Sequence, residues 1–183
     1  MHRTLFLVIA ILLGGCTTNQ IHFAPYSTAA DIHTIKSTKT NIDITKVSGV
    51  STCTKCKESD KIVWHAANNG GNLYEGFSKI PINDWKKFTK TAIESTTNSN
   101  VKVEIEIHRI FLKTWQNPSY YACQSEIYIH IDGHKYSGKS MVKIKGSGQD
   151  LLHIDRVRLN PLAIEAVQLS LKAAYINALQ QMN

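Results

Sequence analysis

The chain lacks the short motifs by which most catalytic centres announce themselves. No serine stands in a Gly-x-Ser-x-Gly elbow, and no two histidines sit one helical turn apart with a glutamate, the spacing of a zinc protease. Gly146-Ser147-Gly148 lacks the strand, spacing and lysine of a phosphate loop and reads as a turn. There is no internal repeat. The apolar run from Leu5 to Leu13 is too short to cross a bilayer as a permanent helix. The formal charge is +7, but Lys and Arg are spread along the chain rather than gathered in a block interleaved with aromatics, which argues against a nucleic-acid partner. The excess reads as solvated surface with a mild attraction for anionic lipid headgroups.

What is present is concentrated at the start. Met1-His2-Arg3, the apolar core Leu5 to Leu13 and the small residues Gly14-Gly15 have the order of a secretory signal. Its ending, Leu12-Leu13-Gly14-Gly15-Cys16, resembles the lipobox of bacterial lipoproteins. That resemblance implies that residues 1–15 are removed and that Cys16 carries diacylglycerol and an N-acyl chain such as palmitate. Each buried methylene contributes about 0.8 kcal/mol, so three chains would make attachment effectively permanent. Uncharged Thr17 after the cysteine implies the periplasmic side of the outer membrane. Cleavage would leave 168 residues with a charge of +6, since Arg3 is the only formally charged side chain removed. That length suits one domain plus a tether.

Residues 16–40 are rich in Thr, Ser, Asn and Ala with scattered apolar residues, and read as a lipidated flexible tether; residues 41–183 read as a single domain. Asn41 to Val47 alternates like a first strand, and Ile62 to His65 reads as a short second one followed by an irregular connection through Asn68-Asn69-Gly70-Gly71-Asn72. Asn83 or Asp84 can cap a helix carrying Trp85, Phe88, Ala92 and Ile93 on one side and ending near Thr97. Val101, Val103, Ile105 and Ile107 alternate with Lys102, Glu104, Glu106 and His108, the clearest half-buried strand in the chain. At Arg109-Ile110 the phase slips, which predicts a bulge or a strand covered on both faces. Asn117-Pro118-Ser119 turns the chain into a strand with Tyr121, Cys123, Ile127, Ile129 and Ile131 on one parity. Asp132-Gly133 predicts a hairpin. The next strand has Tyr136, Val142 and Ile144 on one side and Lys135, Lys139, Lys143 and Lys145 on the other. Leu151 to Leu159 suits a strand or strap, and Asn160-Pro161 starts a long helix with apolar stripes through Val167, Leu171, Ala174 and Ala178 and through Leu162, Leu169 and Ile176. The expected fold is α+β, an antiparallel sheet of four to five strands with two helices packed on one face.

Subtracting Cys16 leaves Cys53, Cys56 and Cys123, an odd number for an oxidising compartment. A disulfide within Cys53-Thr54-Lys55-Cys56, or from that pair to Cys123, suits such a compartment. Alternatively Cys53, Cys56, His65 and Cys123 supply the donor types of a cysteine-rich zinc site, of which the pair alone is half. A redox role would need a helix starting at the first cysteine, and Lys57-Glu58-Ser59-Asp60-Lys61 is not amphipathic. Glu104 and Glu106 share a strand face with lysines around them and read as salt-bridged surface. His108 and His130 are expected to face each other across the hairpin. The tryptophans and Tyr120, Tyr121 and Tyr128 should lie in the core or at its edge.

From about residue 80 on, the order helix, long strand, hairpin strands and alanine-rich last helix, behind a lipobox and a polar tether, resembles the YajG-type lipoproteins and the auxiliary lipoproteins of ABC-type lipid transporters. The resemblance implies a non-enzymatic envelope accessory protein without catalytic residues, needing no cofactor and held to the membrane through its lipid while binding an envelope protein or lipid. The other expectation is a metal- or small-ligand-binding lipoprotein that uses the Cys53–Cys56 segment.

Overall fold

The structure, a computed structural model, describes residues 26–49, 63–69, 72–74, 80, 82–116, 119–146 and 161–182. The signal, Cys16, Cys53, Cys56, the turn at Asn117-Pro118 and the strap over 151–159 lie outside the described residues. The fold is α+β, with a mostly antiparallel sheet.

The first described element corrects the tether reading over residues 29–37, while residues 16–25 lie outside the described residues. Helix α1 (Ala29–Ser37) starts at Thr28, whose hydroxyl accepts from the Asp31 amide at 3.2 Å while the Asp31 carboxylate accepts from the Thr28 amide at 2.6 Å. This reciprocal cap satisfies two amides that a helix start otherwise leaves open. Ile35 is buried and Ile32 half-buried against residues of the sheet and the last helix. A polar composition therefore hides a capped helix that needs only one apolar edge to dock.

Among the described residues six strands form one sheet: β1 (Asp43–Ser48), β2 (Val63–Asn69), β3 (Asn72–Tyr74), β4 (Lys102–Gln116), β5 (Ser119–Ile131) and β6 (His134–Lys145), in the order β3-β2-β4-β5-β6 with β1 also on β4. The long antiparallel meander β4-β5-β6 is as the alternation predicts. The wholly antiparallel sheet of four to five strands is corrected, because β1 and β2 both run parallel to β4. They divide one edge of it: β1 covers Lys102 to Glu106 and β2 covers Ile110 to Trp115, while β5 takes the opposite edge. The expected short strand at Ile62 to His65 continues to Asn69, and β3 pairs back on it with Asn69 opposite Asn72.

The phase slip in β4 is a bulge. Pairing passes from Ile107 opposite Ile127 to Arg109 opposite Glu126, leaving His108 as the extra residue. Val103, Ile105, Ile107, Ile110 and Leu112 consequently all point to one buried side, although their spacing in the sequence changes. Asp132 (φ 50°) and Gly133 (φ 81°) make the β5–β6 turn with both central residues left-handed, the hairpin geometry that Asp-Gly favours.

Helices α2 (Trp85–Ile93) and α3 (Pro161–Leu179) cover the apolar side, joined there by α1, so three described helices replace the two expected. Asp84 caps α2 by accepting from the Lys87 amide at 2.8 Å, and the helix stops at left-handed Glu94, before Thr97. Helix α3 is enclosed on most of its circumference. Ala166, Val167, Leu171, Ala174, Tyr175 and Ala178 enter the main core, while Leu169 and Ala173 pack with Ile35 and Val142 under α1.

The seam between α3 and β6 is built from small residues. A Cβ added to Gly138 would stand 1.9 Å from the Ala174 carbonyl oxygen, so only glycine lets the helix backbone come this close. Beside it Ser140 donates to the Ser170 carbonyl at 2.6 Å, and Asn177 donates to the Lys139 carbonyl at 2.7 Å. The Ser27 amide donates to the Met141 carbonyl at 2.9 Å. Two carbonyls on the free edge of β6 are thus occupied, which blunts that edge as a template for pairing with another chain.

Candidate interaction surface

The helices occupy one side of the sheet, and the other side carries the polar parity of β4, β5 and β6. Register fixes what meets there. Near the β5–β6 turn the rows are Glu104–His130–Lys135 and Glu106–Tyr128–Ser137, with Glu126 opposite Lys139 beyond them. Lys135 approaches the Glu106 carboxylate at 3.2 Å and sits 3.8 Å over the Tyr128 ring. His130 Nε2 is 3.7 Å from the same carboxylate. Lys46 lies 3.8 Å from Glu104 and Lys139 lies 2.7 Å from Glu126. Glu126 holds the Lys139 ammonium above its ordinary pKa through that hydrogen bond and charge pair. This end is a balanced lattice of charges, which accounts for Glu104 and Glu106 as salt-bridged surface.

His108 and His130 do not face each other. The bulge removes His108 from the register, so its ring packs edge-on to Tyr128, 5.6 Å between centroids, while Glu104 is opposite His130.

The far end of the same face has another chemistry. Its rows are Lys113–Ala122–Lys143 and Phe111–Gln124–Met141, followed by Tyr120 opposite Lys145. Ala122, between the two lysines in register, is 4 % exposed. The Lys143 ammonium lies 4.3 Å from the Tyr120 ring and 5.4 Å from that of Tyr26, the residue at which the described chain begins. Burial, then the charge of Lys143, lowers the Lys113 pKa. Partial burial likewise raises both Tyr26 and Tyr120. Phe111 and Met141 are buried although they belong to the open side, with Tyr26 over them. Among the described residues these rows hold no carboxylate. Sequence reasoning found the lysines of β6 but not Lys113 or Tyr26; the parity change after the bulge was the signal for the first, and the tether reading concealed the second.

Of the cysteine and histidine candidates, Cys123 and His65 fall among the described residues. Cys123 lies on the helix side, completely buried and free, and burial pushes its thiol up to about 12, which makes it a poor nucleophile. His65 occupies β2 opposite Leu112, whose other neighbour is Cys123. Cys53 and Cys56 fall outside the described residues. Among the described residues no three His, Cys, Asp or Glu side chains form a metal-sized group.

Two charged clusters on the helix side serve the fold. Asp43 receives Lys102 at 2.9 Å and Lys90 at 3.2 Å, and those hydrogen bonds hold its carboxyl below its usual value. Lys172 is 3 % exposed in mid-α3, yet its ammonium reaches the Glu94 carboxylate at 3.1 Å and the Lys36 carbonyl at 3.3 Å. It ties α3 to the ends of α2 and α1, and its hydrogen bond lowers the Glu94 pKa. A shallow cleft of about 260 Å³ opens between Thr38–Ile42 and the end of α3, with Tyr175, Ile176 and Leu179 in its wall. No described helix is long and apolar enough to cross a membrane.

No family model matches the chain. No curated protein matches it either. One solved structure, titled "Crystal structure of uncharacterized protein", aligns over 78 % of this chain and 92 % of its own at 4 % identity with a TM-score of 0.37.

Proposed function

We propose that the protein is a bacterial envelope lipoprotein, acylated on Cys16, anchored on the periplasmic side of the outer membrane, and acting without catalysis by presenting a binding surface. The observation that carries this reading is Leu12-Leu13-Gly14-Gly15-Cys16 in register with a short apolar signal core and a basic start. On it, the accessory role implied by the resemblance to YajG-type and transporter-auxiliary lipoproteins stands as part of the proposal. The enclosure of α3 points to the open side of the sheet, rather than the last helix, as the surface offered to an envelope partner.

Intact mass and palmitate labelling of the protein extracted from membranes test the anchor. The expected product starts at Cys16 with three acyl chains, and Cys16→Ala should abolish the label and the membrane association. An unacylated product with another N-terminus sinks the reading. Density fractionation decides between outer and inner membrane, and cross-linking in cells should yield a discrete partner; a chain that stays monomeric and alone defeats the binding role. The Cys-x-x-Cys spacing favours one alternative, a metal-binding lipoprotein using Cys53, Cys56 and His65. Protein purified without chelator should then carry stoichiometric zinc with both thiols reduced, whereas an oxidised pair without metal excludes it.

A further inference from the structure

The cationic end of the open sheet face lies where the described chain begins. Tyr26 is ten residues after Cys16, and ten residues reach at most about 35 Å. The opposite end, at Asp132-Gly133, lies roughly 35–40 Å further along β5 at about 3.4 Å per residue. A chain held at Cys16 therefore keeps Tyr26 and its neighbours near the membrane, with the balanced, salt-bridged end further away. The near end presents exposed Lys143 and Lys145 beside half-buried Lys113. Tyr26 and Tyr120 beside Lys143 are the amphipathic rings that settle at the headgroup level of a bilayer.

We propose that the surface formed by Lys113, Lys143, Lys145, Tyr26 and Tyr120 docks on the phosphate-bearing anionic headgroups of the membrane that holds the Cys16 anchor. The inference rests on the anchor reading above. The ammonium groups supply attraction to the phosphates, the tyrosines fill the headgroup layer, and docking orients the sheet so that the β5–β6 turn points away from the bilayer. Attraction of this kind weakens as salt rises.

The test uses the mature chain with Cys16→Ser, which removes acylation as a source of binding, and vesicles of phosphatidylcholine with or without one-third phosphatidylglycerol. Co-sedimentation should favour the anionic vesicles by about tenfold or more at low salt, with the preference falling steeply as salt is added. The double variant Lys143→Gln/Lys145→Gln should lose about tenfold of that partition. Lys135→Gln/Lys139→Gln, which removes the same charge from the other end of the same face, should change it by less than about twofold. Equal binding to both vesicle types, or equal losses in the two double variants, overturns the proposal. Circular dichroism checks that both variants fold. Failure of the anchor reading shows separately, as a native protein without acyl chains.

Discussion

The two sides of the sheet solve opposite problems with the same three strands. On the helix side, β4, β5 and β6 present Ile, Val and Leu, then glycine and serine where α3 descends closest, and the buried Lys172 ammonium is held by a carboxylate and a carbonyl. On the open side, the same strands present ions matched to ions near the turn and lysines set among aromatic rings near the chain entry. One side is specified by shape and tolerates little change. The other is specified by charge at its exposed positions, which should tolerate most changes as far as folding goes, Phe111 and Met141 apart. Substitutions on the two sides separate these properties.

The widest gap should appear within β4 itself. Leu112→Ala removes a completely buried side chain between β2 and β5 and should cost about 4 kcal/mol in denaturant unfolding, as large-to-small changes in closed cores do. Glu104→Ala, on the exposed parity of the same strand, should stay within about 0.5 kcal/mol. Comparable costs at the two positions would mean that the open side carries packing energy it is not assigned here.

Gly138→Ala is the next test, because it adds one methyl group and removes nothing. The new Cβ would meet backbone at 1.9 Å, which cannot rotate away, so α3 must lift off β6 and strain the Ser140–Ser170 contact. Overpacking of this kind costs about 1–3 kcal/mol, and the backbone contact places this case near the upper end. A variant as stable as the parent would show that the helix rides higher on the sheet than described.

These positions mark how far the chain could be read in advance. The meander was legible because alternation in β4 to β6 reports which side is buried, and even the slip at Arg109 identified the bulge. Strand partnership was not legible. Nothing local to Asp43–Ser48 or Val63–Asn69 says that both lie parallel to β4, since a strand's pattern reports its burial rather than its neighbour. Helix α1 was missed because two half-buried or buried isoleucines in a polar stretch make a faint stripe; Thr28-x-x-Asp31 was the available clue. The opposition expected of His108 and His130 failed because the hairpin register places Glu104 opposite His130, and even without the bulge His108 would meet Glu126. Of the interaction surface, the lysines were visible, but their grouping with Tyr26 depends on where the chain returns to the sheet.

The pair between buried Lys172 and the more exposed Glu94 permits a finer comparison. Glu94→Ala would leave the Lys172 ammonium in the core with only the Lys36 carbonyl and should cost about 3 kcal/mol, whereas Lys172→Met removes the buried charge and fills its volume, and should lie within about 1 kcal/mol of the parent. Because Lys172 holds the Glu94 carboxyl below its ordinary value in the folded chain, the associated stability is complete above that ordinary value and is lost as pH falls through the lowered one. The gap between parent and Glu94→Ala should therefore be full near pH 6 and shrink below about pH 4. A gap independent of pH would assign the cost to the left-handed backbone at residue 94 instead, and Glu94→Gly, which relaxes φ 58°, would then recover it.

The smallest effect is expected at the matching pair on the open side. Lys139 approaches Glu126 at 2.7 Å, closer than Lys172 approaches Glu94, and distance alone would rank it the stronger. The surroundings reverse that order. The Lys139 side chain is 64 % exposed, so water already solvates most of its charge and salt screens the rest, while the Lys172 side chain is 4 % exposed and has no such alternative. Lys139→Gln should cost about 0.5 kcal/mol in low salt and nothing measurable near 1 M salt, where the Glu94→Ala cost should persist. If both costs vanish together in salt, Lys172 is wetter than its enclosure implies, and the division of the sheet into a side set by shape and a side set by charge fails at its best-defined point.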